Sequence, residues 1–145
     1  MEIYTIGFTR KSAADFFESL KKHAIKRLVD VRINNTSQLA GFTKRDDLAY
    51  FLRELVDADY LHETTLAPTP ELLKDYRNGK ISWEEYEQLF LKLLAERRVE
   101  DALRPGFFSQ PTVLLCSEAT AERCHRRLIV EYLDRAWGEV QAVHL

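Results

Sequence analysis

The stretch Thr112–Leu133, TVLLCSEATAERCHRRLIVEYL, decides the fold. Its opening run, Thr112-Val113-Leu114-Leu115-Cys116, is apolar throughout, as a short strand buried on both faces is. Beyond it, Cys124, Leu128 and Tyr132 share one stripe, with His125, Ile129 and Leu133 beside it, at helical spacing. The pattern predicts a helix from about Ala121 to Trp137. A buried strand that turns into a helix is half of a βαβ unit and calls for a parallel sheet covered on both sides.

The same alternation extends outward. Ile3–Gly7 reads as a strand, and Ser12-x-x-Asp15 opens a helix carrying Phe16, Phe17 and Leu20. Arg27–Arg32 reads as a second buried strand through Leu28, Val29 and Val31, and Asn34–Gly41 as a polar turn. Thr43 with Asp46 is expected to cap a helix bearing Leu48, Phe51, Leu52 and Leu55. Asp59–His62 is the third strand. Thr69-Pro70 starts a helix that Asn78-Gly79 ends, and Ser82 with Glu85 forms a capping box for the next. Val140–Val143 is the last strand. The expectation is an α/β three-layer sandwich, a mostly parallel central sheet of about five strands flanked by helices, as a single unit over 1–145.

Composition narrows the function classes. The chain has 145 residues, 46% hydrophobic, with 21 basic and 23 acidic side chains and a net charge of −2. Such a balance produces no global positive field for bulk nucleic-acid binding. No apolar run approaches the roughly 18 residues of a membrane span, and the N-terminus enters a strand directly. A cytoplasmic protein with no membrane partner is expected. Two cysteines are too few for a disulfide framework.

Right-handed crossovers gather the strand C-terminal ends on one edge, where open α/β sheets bind ligands. That edge is expected to collect Gly7, Thr9, Asp30, Arg32, Ser37, His62, Cys116 and Glu118. Asp30 and Arg32 lie two apart on a strand and leave the same face. They form either a structural ion pair or an anion clamp, Arg32 oriented by Asp30. Cys116, Glu118, Cys124 and His125 put thiol, carboxylate and imidazole beside a helix start, a plausible catalytic group. The competing reading makes each cysteine core and His125 a backbone brace. Arg126 flanks the inward stripe, whereas Arg127, Val130, Glu131 and Asp134 read as solvent-facing, with Arg127 pairing Glu131.

Sharper templates are tested by spacing. Six residues separate Cys116 from Arg123, one too many for a cysteine-phosphatase cradle, and Glu118 would repel a phosphate there. A zinc site finds Cys116, Cys124 and His125 and would need His62 or an acidic residue as a fourth ligand. There is no Walker or GxGxxG loop.

These segments resemble one family over nearly the whole chain, the domain of unknown function DUF488. The resemblance lies in Thr5-Ile6-Gly7-Phe8-Thr9, Leu28-Val29-Asp30-Val31-Arg32, Ser37 with Gly41-Phe42, and above all Leu114-Leu115-Cys116-x-Glu118 followed by Cys124-His125-Arg126-x-Leu128-Ile129. Phe8 stands where the family often has histidine, Ala121 where it usually has proline, and Leu66-Ala67-Pro68 where it has Leu-Gly-Gly. The resemblance implies a three-layer α/β domain of bacteria or archaea with no established activity.

The leading expectation is a small enzyme acting on a nucleotide-like or nucleic-acid-derived substrate. Cys116 or Cys124 would be the thiol, Glu118 the acid/base and His125 a proton shuttle. Arg32 and Arg126 would clamp the anion, with Asp30, Ser37, Gly7 and Thr9 completing the binding site. This reading uses no cofactor and no metal. The alternatives are a non-catalytic module that binds a small ligand or nucleic acid, and a zinc-site protein.

Overall fold

A computed structural model describes residues 1–36, 41–117 and 123–145. Five strands, β1 (Glu2–Gly7), β2 (Arg27–Asp30), β3 (Asp59–His62), β4 (Thr112–Cys116) and β5 (Gln141–His144), form one sheet in the order β3–β2–β4–β1–β5. Every pairing is parallel. β4 sits between β1 and β2 and is buried along its whole length, which is why its sequence has no polar alternation.

Helices cover both faces. After β1 and β2 come α1 (Ala13–Lys22) and α2 (Arg45–Phe51), the latter continuing as a π-helical turn over Leu52–Val56. They pack on Ile6, Leu28, Val113 and Leu115. After β3 and β4 come α3 (Pro70–Arg77), α4 (Trp83–Glu96), the short α5 (Val99–Leu103) and α6 (His125–Trp137). The core beneath α4, α5 and α6 holds Ile3, Val29, Leu114, Phe90 and Leu128. Successive sheet residues therefore serve opposite cores, and the result is the expected three-layer sandwich, with an entirely parallel sheet.

This topology positions the site. The connections after β1 and β2 lie on one face and those after β3 and β4 on the other, so neighbouring strands β2 and β4 feed opposite layers. A crevice opens at the C-terminal ends of such a pair. Among the described residues no helix is long and apolar enough to cross a membrane.

Local chemistry departs from the sequence reading at three places. Lys44, not Thr43, precedes α2, because Thr43 turns inward in a short 3-10 turn, Gly41–Thr43, and is fully buried. α6 begins at His125, with Cys124 as its extended N-cap residue, rather than near Ala121. Val130 is buried, since α4 packs across that side of α6 and adds it to the core. Arg127 pairs Glu131 at 3.7 Å as expected and also reaches Glu87 on α4 at 3.1 Å.

Candidate functional site

At the C-terminal edge of β2 and β4 lies a cavity of about 600 Å³. Its floor is Cys116, the last residue of β4, with Cys124 and His125 at the start of α6. Its outer wall comes from α3 and the first turns of α4. The two helices are fixed there by their starts: Thr69 accepts from Leu72 N with Pro70 in the first turn, and Ser82 and Glu85 close a reciprocal capping box.

The wall has a distinct chemistry. Tyr76, Trp83 and Tyr86 form a continuous ring cluster, with centroids 5.1 to 5.6 Å apart and Trp83 stacked on Tyr86. Lys74 and Arg77 from α3 and Arg123 are exposed along the opening, and Arg32 reaches the cavity from β2. Among the described residues, four lining side chains are cationic and none is a carboxylate. An anion carrying a flat ring system fits such a lining.

Arg32 is buried and heavily used. Its Nε and Nη2 donate to both carboxylate oxygens of Asp30 at 2.8 Å each, Nη2 also donates to the Thr43 carbonyl at 2.7 Å, and its guanidinium lies over the Phe8 ring. Asp30 also accepts from the Tyr60 hydroxyl at 2.6 Å and the Arg32 backbone N–H at 3.1 Å. Burial first and this bond second raise the Tyr60 hydroxyl well above the usual phenol range. One guanidinium nitrogen, Arg32 Nη1, is buried with no partner among the described residues. The ion-pair and clamp readings therefore meet in one residue: Asp30 fixes Arg32, and Nη1 is left over.

His125 Nε2 lies 2.7 Å from the Val31 carbonyl. A carbonyl only accepts, so Nε2 carries the proton and Nδ1 the lone pair. Burial, partly opposed by that bond, pushes the imidazole down to about 4, so it is neutral at ordinary pH. The Phe90 ring meets it edge-on at 5.5 Å. His125 thus both braces a backbone carbonyl and presents a ring nitrogen to the two sulfurs, with all three ligand atoms within 4.8 Å of one another.

The catalytic reading needs the two cysteines as thiols, and the sequence leaves their redox state open. In this structure Cys116 and Cys124 are joined as a disulfide, their Cα atoms 7.6 Å apart. Cys116 ends β4 and Cys124 is the N-cap residue of α6. Thiol chemistry at this site belongs to the reduced protein. Arg126, buried beneath the floor, donates from Nη1 to Cys116 Sγ at 3.3 Å, which favours a thiolate there once reduced.

Other expected residues fall around the cavity rather than in it. Gly7 ends β1 opposite Cys116, and Thr9 holds the Ser117 carbonyl through both its hydroxyl and its backbone N–H. Neither lines the cavity, and neither do Asp30 and Arg126. Thr9 holds Ser117, Asp30 holds Arg32 and Arg126 holds Cys116, all three of which line the cavity. His62 donates from Nε2 to the Arg32 carbonyl, 2.7 Å away, and is not part of the sulfur–imidazole group. Ser37 and Glu118 lie outside the described residues. The sequence reading missed Lys74, Tyr76 and Arg77 as site residues and placed Trp83 and Tyr86 only in a helix. The signal present was the Pro70-capped helix itself, cationic at Lys74 and Arg77 on one side.

A family model described as a domain of unknown function, DUF488, matches residues 12–133. No curated protein and no solved structure matches the chain.

Proposed function

The chain belongs to the DUF488 family, and from its site we propose that it is a small enzyme acting on a nucleotide-like or nucleic-acid-derived substrate. One observation carries this reading: a cavity at the sheet's switch point that combines Lys74, Arg77 and Arg123 with the rings of Tyr76, Trp83 and Tyr86. Phosphate would meet the cations and the unused Arg32 Nη1, and a base would lie against the rings. Cys116, Cys124 and His125 are the reacting groups on the floor, available when the cysteines are reduced, and Glu118 would act as the acid/base. Asp30 and Arg126 hold Arg32 and Cys116 in place.

The test is equilibrium binding of a mononucleotide and short-oligonucleotide panel to reduced protein at low salt, with mass-spectrometric inspection for products. Arg77→Glu is expected to weaken binding roughly tenfold or more, since it reverses a charge in a pocket of cations. Binding that ignores Arg77→Glu, or absence of binding across the panel, would overturn the reading. Binding without product supports the non-catalytic alternative.

A further inference from the structure

We infer that, once reduced, Cys116, Cys124 and His125 hold a thiophilic divalent cation of the zinc class, with its fourth coordination position open to the cavity. The inference recasts the floor residues of the preceding reading from reacting groups to ligands, and rests on that reading only for what the open position faces.

Four observations carry it. The two sulfurs and one imidazole nitrogen already lie within 4.8 Å of one another. The backbone holds Cys116 and Cys124 with Cα atoms 7.6 Å apart, wider than the roughly 4.4–6.8 Å of ordinary disulfides, so the fold is not shaped around that bond. His125 donates Nε2–H to the Val31 carbonyl, the outer contact that orients a metal-binding imidazole and leaves Nδ1 as the ligand atom. Two thiolates and one histidine leave one tetrahedral position unfilled, the mark of a catalytic rather than a structural site, and all three residues line the cavity. Zinc–sulfur bonds of about 2.3 Å at a tetrahedral angle place the sulfurs about 3.8 Å apart, so they separate by side-chain rotation when the ion enters.

The chemistry balances. A dithiol reductant supplies two electrons and two protons to the Cys116–Cys124 bond and becomes a disulfide itself. The cation then displaces both thiol protons to solvent. This departs from the metal-free reading of the sequence, and the open position gives a metal-bound water next to the bound anion.

The experiment titrates cobalt(II) into the full chain, reduced with a dithiol and desalted without oxygen, beside the same protein left oxidised. The reduced protein is expected to show sulfur-to-cobalt charge transfer and intense tetrahedral ligand-field bands that saturate at one ion per chain and are bleached by zinc. The oxidised protein is expected to show neither. His125→Gln should weaken cobalt binding roughly tenfold or more, and Cys124→Ser should remove most of the charge transfer. Folded, reduced protein whose two thiols react with a disulfide reagent but which gives no charge-transfer band overturns the inference, and needs no variant. Arg77→Glu separates the two readings. If it abolishes nucleotide binding and leaves the cobalt spectrum unchanged, both stand. A cobalt spectrum in a protein that binds no nucleotide overturns only the preceding reading.

Discussion

At the scale of single residues, the buried Asp30–Arg32 pair is the most demanding feature of the fold. Both side chains are almost wholly excluded from water, and each makes hydrogen bonds besides the charge contact. Asp30→Asn keeps the shape but leaves a buried guanidinium without its counter-charge. Chemical denaturation is expected to show a loss of about 3–5 kcal/mol, the range for breaking one side of a buried pair. Tyr60→Phe removes one bond to a charged acceptor and should lose about 1.5–3 kcal/mol in the same assay. The pairing of Asp30 and Arg32 was legible because a two-residue step on a strand returns to the same face. The roles of Lys74 and Arg77 were not. Where a helix lies relative to the end of a distant strand is set by tertiary packing, and nothing in the spacing of α3 encodes it.

At the scale of elements, β1, β2 and β4 are legible because buried parallel strands leave apolar runs, whereas the edge strands β3 and β5 are only partly buried and carry a weaker signal. The start of α6 is not legible, because Cys124 and His125 fall at the spacing of the helix's inner stripe although Cys124 is its extended N-cap. Its backbone is capped by no side-chain hydrogen bond, so no serine, threonine or aspartate marks the boundary. In contrast, Ser82 and Glu85 announce α4 plainly. Ser82→Ala should lower stability by about 1 kcal/mol in thermal or urea unfolding while nucleotide binding in the cavity persists, since only the cap is lost. Leu128→Ala, a deletion in the core between α6 and the sheet, should cost about 2–5 kcal/mol by the same measurement.

For the whole molecule, three phenols are held protonated above their ordinary range. Burial is the first cause for Tyr60, Tyr86 and Tyr132, and a hydrogen bond to Glu100 adds to it in Tyr132, whose pKa is pushed up to about 12 from 10.0. An acid with a raised folded pKa keeps its proton in the native state after the unfolded chain has lost it. Its contribution is complete below about pH 10 and is lost as pH rises towards 12. Melting temperatures measured across that window should fall. In Tyr132→Phe they should fall less steeply, and an identical slope in the variant would refute the assignment.

The place of β1 between β4 and β5 has a consequence for how the protein is made. β1 comprises residues 2–7, yet its two neighbours are residues 112–116 and 141–144. A ribosome therefore releases the first strand long before either partner exists, and this part of the sheet closes only after β4 and β5 have been made. Such distant pairings make folding slow and leave the apolar side chains of Ile3 and Ile6 uncovered in the nascent chain. Hydrogen exchange on chains arrested before Thr112 should find β1 unprotected, with protection arriving only once β4 has emerged.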